Sequence, residues 1–167
     1  MTMKDRVEKA VELFKSGYNC SQSVVAAFAD MYGFTQEQAL RMSASFGGGI
    51  GRMRQTCGAA CGMFLLAGLE KGAVDGKDRE GKAANYALVQ QLAEEFRKRN
   101  GSMICAELLG LKKPEGSSTP EPARSSITPS VPAPKWWKRR RQYGRSIWKN
   151  SGNRANRAVS PAENGKK

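Results

Sequence analysis

Four cysteines and no histidine define the chemistry open to this chain of 167 residues. Cys20, Cys57, Cys61 and Cys105 are its candidates for nucleophilic, redox or soft-metal work. With no imidazole, the chain lacks the commonest general base and nitrogen ligand, and a Cys–His nucleophile is excluded. Thiols in such a chain must be activated by helix ends and cations, both of which favour the thiolate. The richest stretch is FGGGIGRMRQTCGAACGMFLLAGL, Phe46 to Leu69. Its glycines, Gly47, Gly48, Gly49 and Gly51, predict a loop that can take positive φ and bring backbone close to another group. Arg52 and Arg54 follow, Thr56 is a good N-cap, and Cys57 to Leu69 reads as a buried helix. Cys57 would then be its first residue and an activated, nucleophilic thiolate. Cys61 lies one turn on, ~6 Å along the axis and on the same side. A disulfide between these two would need strain or unwinding, so Cys61 reads as packing as readily as a ligand.

The elements that must position these thiols are helical throughout. Met3 to Ser16 places Val7, Ala10, Val11 and Phe14 on one face and ends at Gly17. Asn19 caps Cys20 to Tyr32, with Gln22 as a partial capping box and Gly33 as the stop. Thr35 with Gln38 opens a third helix, to about Ser45. Glu70 to Asp78 reads as a turn. Glu80 to Arg99 carries Ala84, Leu88, Leu92 and Phe96 on a stripe, and Ser102 caps Met103 to Leu109. Met31, Met42 and Met63 fit core faces. The expected fold class is all-α: a compact bundle of about five to six short helices with a glycine-rich loop. Residues 1–113 form this domain, and residues 114–167 follow as a disordered, Pro/Ser-rich and then basic tail. Cys20 and Cys57 fall at the first positions of their helices and Cys105 at the third. Burial as small hydrophobes explains one such placement better than three, so Cys20, Cys57 and Cys105 are expected to converge.

On GYNCSQSV (17–24), FGGGIGR (46–52), CGAACG (57–62) and GSMICAELLG (101–110), the chain resembles the C_GCAxxG_C_C family of redox-active proteins. The resemblance covers residues 5–113. It implies a small helical domain with four characteristic cysteines and a redox or metal role. Cys20, Cys57 and Cys105 match the first three, whereas Cys61 falls on a variable position of CGAxxG. The fourth, expected in a K-x-C or R-P-C segment after the LLG, has no counterpart. Two versions follow: a thiol–disulfide oxidoreductase with Cys57 attacking and Cys20 or Cys105 resolving, or a centre ligated by Cys20, Cys57, Cys105 and conceivably Cys61. Histidine-free thiolate ligation favours zinc, Cu(I) or an iron–sulfur cluster. The glycine loop lacks a P-loop's lysine–serine ending and a preceding strand. Gly47, Gly48, Gly49, Gly51 and Arg52 are therefore expected to aim N–H groups at a thiolate or cluster rather than at a nucleotide.

The formal charge of +13 is uneven: residues 1–113 carry 16 Lys+Arg against 12 Asp+Glu, and residues 114–167 carry 12 against 3. The N-terminus lacks a signal-peptide apolar region, and the longest apolar run, Met63 to Leu69, is too short to span a membrane. A cytosolic protein without membrane insertion is expected, where cysteines serve chemistry more often than disulfide frameworks. The tail interleaves Trp136, Trp137, Tyr143 and Trp148 with arginines, a composition that binds single-stranded nucleic acid weakly and without sequence preference. Reading SITPSVPAPKWW (126–137) two bases later yields (H/Y)YTKRPCAKMV with suitable synonymous codons, which restores an R-P-C segment. Residues beyond about 120 are accordingly read as out of frame. The competing functions are nucleic-acid binding through the tail and a non-catalytic helical interaction domain. The redox partner is not named by the sequence, and a homo-oligomer is compatible with it.

Overall fold

The computed structural model describes residues 1–112 and 117–119, all in the first of the chain's two units, Met1–Pro132. The expected tail, its reading frame and its basic aromatic stretch lie outside the described residues, apart from Ser117 to Thr119. Six α-helices make up the described part: α1 (Met3–Lys15), α2 (Cys20–Phe28), α3 (Gln36–Ser43), α4 (Gly58–Lys71), α5 (Arg79–Asn100) and α6 (Cys105–Leu108). Single 3₁₀ turns extend α2 over Ala29–Tyr32 and α3 over Ala44–Phe46. Among the described residues the only β pairing is one antiparallel bridge, Thr56 to Ile104. No described helix is long and apolar enough to cross a membrane.

Helix α2 is the centre of the bundle. From Ser21 to Phe28 every residue is buried except Gln22, as expected of a helix that is apolar nearly all round. It packs on α1, α3 and α4, and α5 closes the far side of α4. Contact between α2 and α4 is close because α4 presents small residues: a Cβ on Gly62 would stand 3.0 Å from Val24 Cβ. Phe96, Met63, Leu66, Leu92 and Val25 complete the core.

The caps behave as their residue types dictate. Asn19 and Gln22 form a full capping box, as do Thr35 and Gln38, and Gly33 stops the 3₁₀ turn in the left-handed region. Thr2 and Asp5 make a further box on α1 that the sequence reading did not anticipate. The starts of α4 and α6, and the burial of α5, differ from expectation. Helix α4 starts at Gly58 with Cys57 as its N-cap, so Thr56 is freed for the bridge to Ile104. That bridge also delays α6, whose N-cap is Ile104 rather than Ser102. Ser102 instead accepts the Ile104 N–H and bonds to Glu107. The stripe on α5 is buried only in its second half, at Leu92 and Phe96, while Ala84 is exposed.

Two charged side chains, Arg6 and Arg54, are buried among the described residues. Arg6 of α1 is 7% exposed, donates to the Ala27 carbonyl at 2.9 Å, and forks onto Asp30 at 2.5 and 2.8 Å. Its guanidinium also lies over the Phe28 ring. The pair fixes α1 against the end of α2.

Candidate functional site: a thiol pair at two helix mouths

The site is assembled by caps that work twice. Asn19 caps α2 with its side-chain oxygen, while its Nδ2 donates to the Ala44 carbonyl at 2.9 Å. Gln22 similarly reaches the Leu40 carbonyl at 3.2 Å. These bonds bind the end of α3 to the start of α2, so the glycine loop that follows α3 must cross the α2 N-terminus. Gly47 is required at the crossing, since a Cβ there would overlap the Asn19 side chain.

On the other side, residues 54–57 run antiparallel to residues 103–106. Cys57 N–H donates to the Met103 carbonyl at 2.7 Å, Cys105 N–H to Gln55 at 2.6 Å, and Ala106 N–H to Arg54 at 3.1 Å. This pairing joins the mouth of α4 to that of α6 and places Cys105 at the first position of its helix. Cys20 is the first residue of α2 and Cys57 the N-cap of α4, so the expected first-turn placement holds in modified form. The Cys20 sulfur lies against the start of α4, where a Cβ on Gly58 would stand 2.5 Å from it. All four cysteines are free.

The two thiols titrate as a coupled pair, pushed apart by their proximity. Donation from the Cys57 thiol, helped by N–H groups of Gly48 and Ser21 and opposed by burial, lowers the Cys20 thiol to about 6. The same bond, with burial and the negative charge of Cys20, raises Cys57 far above an ordinary thiol even though the Ala59 and Ala60 N–H groups face it. Beside the expectation that Cys57 is the activated thiolate, Cys20 is a second candidate for that role. A helix N-terminus favours a thiolate, but two thiols sharing one proton cannot both ionise at neutral pH. Cys20 receives the extra N–H from the glycine loop and is the less buried of the two.

Arg52 and Arg54 do not activate Cys57 as expected. Arg54 is buried and hydrogen-bonds Cys105, and Arg52 adds a weaker favourable field there. Burial nevertheless dominates at Cys105 and raises its thiol. Cys61 is pushed up to about 11 by burial and by the charge on Cys20, and its sulfur lies 3.9 Å from the Thr56 carbonyl. It behaves as a packed, protonated thiol.

The glycine loop serves the thiols directly. Gly48 supplies the N–H to Cys20, and a Cβ on Gly49 would stand 2.5 Å from Cys105 Cβ. The N–H groups of Ile50, Gly51, Arg52, Arg54 and Gln55 bond to carbonyls of residues 45–49, so they are engaged within the chain. Gly51 meets only the Ser45 carbonyl, and Arg52 Nε donates to the Ser117 carbonyl at 2.9 Å. Among the described residues, no group of three or more cysteine, aspartate or glutamate side chains is placed to hold a metal ion.

Two contributors were missed in the sequence. Gly58 is the only residue type its site accepts: a Cβ would meet Cys20 Sγ at 2.5 Å and the Phe46 carbonyl at 2.6 Å. Ser21 donates its N–H to Cys20 while its hydroxyl is buried without a partner. The CGAxxG motif gains a physical meaning from this. Cys57 bonds Cys20, Gly58 admits the Cys20 sulfur, and Gly62 admits Val24.

The chain belongs to the family described as "Putative redox-active protein (C_GCAxxG_C_C)", which matches residues 18–129. The match takes in α2 to α6 and every residue of the site. No curated protein and no solved structure compared with the chain matches it.

Proposed function

We propose that this member of the redox-active family is a thiol–disulfide oxidoreductase whose working pair is Cys20 and Cys57. The observation that supports the reading is that the mouths of α2 and α4 meet at these cysteines: a Cβ on Gly58, the residue after Cys57, would stand 2.5 Å from Cys20 Sγ. Their proximity lowers the Cys20 thiol to about 6 and raises that of Cys57, which suits a two-step exchange.

The Cys20 thiolate attacks one sulfur of a partner disulfide, forming a mixed disulfide and displacing the partner's other sulfur as thiolate. Cys57 then gives up its proton and attacks the Cys20 sulfur. The mixed disulfide breaks, the Cys20–Cys57 bond forms, and the second partner thiolate leaves. Two electrons and one proton pass from the pair to the partner. Discharge of Cys20 in the first step removes the charge that kept Cys57 protonated, so the second nucleophile is released when it is needed. Cys105, held by Arg54, and the packed Cys61 stand outside the exchange.

The test equilibrates the full chain with mixtures of glutathione and its disulfide, traps free thiols by alkylation, and maps the cross-links by mass spectrometry. A Cys20–Cys57 disulfide that titrates with the mixture, and vanishes in Cys20→Ser and in Cys57→Ser, is the expected result. Thiols that remain free throughout, or cross-links that involve other cysteines first, would remove this reading.

A further inference from the structure

Three segments meet at the thiol pair: residues 17–23 at the start of α2, residues 44–58 leading into α4, and residues 101–106 at the start of α6. They contain Arg52 and Arg54 and no aspartate or glutamate, although residues 1–113 carry 12 acidic side chains. The acid nearest to them in sequence, Glu107, accepts a hydrogen bond from Ser102, and Asp30 is held by Arg6. The others lie on α1, on α3, in the last turn of α4, or from Asp75 through α5.

The glycine loop sets Arg52 beside the mouth of α2. Gly47 lies against the Asn19 side chain, where a Cβ would stand 2.4 Å from Asn19 Cγ. The Arg52 side chain lies against Gly48, its Cγ 2.8 Å from where a Cβ would be. Asn19 immediately precedes Cys20, the one cysteine of the four that is not buried. Arg52 Nε already holds a backbone carbonyl from an exposed stretch of chain, that of Ser117 at 2.9 Å. Two exposed apolar side chains belong to the same segments. Met53 is 57% exposed; Ile104 is 37% exposed and is bridged to Thr56, the residue before Cys57. Arginine and methionine are among the residues that protein interfaces recruit from a surface.

We propose that Arg52, Met53 and Ile104 form the docking surface for the partner disulfide, and that the partner is a protein with acidic side chains beside that disulfide. The proposal rests on the reading of Cys20 and Cys57 as the working dithiol, and the exchange itself is the one written above. A rim of this charge attracts an anionic partner, raises its encounter rate and turns away basic ones. Arg52 is the charge that acts at the surface, because Arg54 is buried. Met53 and Ile104 supply the apolar area that water leaves on docking. The Ser117 carbonyl marks how a peptide backbone approaches Arg52.

The experiment offers the reduced full chain three peptides of equal length, each closed by one disulfide flanked by aspartates, asparagines or lysines. Initial reduction rates are read at about 0.01 M and about 1 M ionic strength, where the Debye length is ~30 and ~3 Å. The aspartate peptide is expected to react about tenfold faster than the lysine peptide at low salt and within about twofold of it at high salt. Arg52→Glu and, independently, Met53→Asp should each reduce that low-salt ratio to about twofold or below. The ratio is the readout, because damage to the thiols lowers both rates alike. Both variants keep the basic residues beyond Lys113, so a preference for aspartate that survives the two substitutions belongs to the tail and overturns the docking surface. Equal rates for the unsubstituted chain at low salt overturn it as well. Where no peptide is reduced, the glutathione titration judges the dithiol reading and binding decides the docking surface. The aspartate peptide with both cysteines replaced by serine should then bind the unsubstituted chain about tenfold more tightly than Arg52→Glu at low salt; equal affinities overturn the proposal.

Discussion

Gly58→Ala tests the site at the point where its geometry is tightest. The added methyl would stand 2.5 Å from Cys20 Sγ, 2.6 Å from the Phe46 carbonyl oxygen and 3.3 Å from Ser21 N. Two of these neighbours are backbone, so the movable atom is the Cys20 sulfur. Overpacking of this kind costs about 1–3 kcal/mol. Because Gly58 is at the first helical position, the usual gain of up to ~1 kcal/mol from replacing a helical glycine offsets little of it. A fall in Tm of roughly 3–10 °C follows for a domain of this size. Gly68→Ala is the internal control. It lies in the interior of the same helix with nothing within 4 Å of its added Cβ, and it should raise Tm by a few degrees.

The chemical effect of Gly58→Ala is subtler than its stability effect. A displaced Cys20 loses its bond from Cys57, and its thiol should move from about 6 toward the ~8.5 of a free cysteine. At pH 7 the thiolate fraction would drop from about 90% to ~3%. Intrinsic nucleophilicity rises at the same time, with a Brønsted slope of about 0.4–0.5, which returns roughly tenfold of that loss. The net rate at pH 7 should therefore fall only about twofold to threefold. The assay must be the full profile of alkylation rate against pH, assigned to Cys20 by peptide mapping. A midpoint that stays near 6 in Gly58→Ala would refute the account of how Cys20 is activated. So would a wild-type midpoint at the free value.

Other consequences are independent of that substitution. Reduced protein should gain stability as pH rises from about 6 to ~8.5, because the lowered Cys20 pKa stabilises the fold fully above its unfolded value and the contribution is lost as pH falls through the folded one. Above ~8.5 stability should decline, since Cys57, Cys61 and Cys105 have raised pKa values and their contribution is lost as pH climbs; thermal melts across this range should lose the rising limb in Cys20→Ser. Asp30→Ala should cost about 1–3 kcal/mol by removing the carboxylate from the buried Arg6 guanidinium, whereas Arg6→Met, which leaves an Asp30 whose side chain is 59% exposed, should cost under ~1.5 kcal/mol in urea melts. If the sequence beyond about residue 120 is out of frame, a chain ending at Lys113 should melt with the full chain, and the coding DNA at 126–137 will show the shift directly.

Much of the bundle could be read from local signals because those signals are local in cause. A capping box needs only residues three apart, and Asn19–Gln22 and Thr35–Gln38 close as their types predict. The errors arise where a distant segment competes. Thr56 is a good N-cap, yet the bridge to Ile104 takes it and leaves Cys57 as the cap. The same bridge displaces Ser102 from α6. Nothing in residues 54–57 alone announces a partner at residues 103–106, since a single bridge has too few residues to show a strand period.

The choice between the two thiols is hard to read from the sequence for a related reason. Each of Cys20 and Cys57 has a helix mouth, and on that criterion the two arginines near Cys57 tip the choice toward it. In the folded chain those arginines serve Cys105, while Gly48 brings its N–H to Cys20. Sequence proximity to a cation is therefore a poor guide to which thiol it affects. The informative signal was the spacing of small residues. Gly58 and Gly62, one turn apart on α4, let α2 approach closely enough for two helix mouths to share a proton. A motif that reads as permissive packing is thus what couples the two cysteines, and enlarging it should separate their titrations before it unfolds the domain.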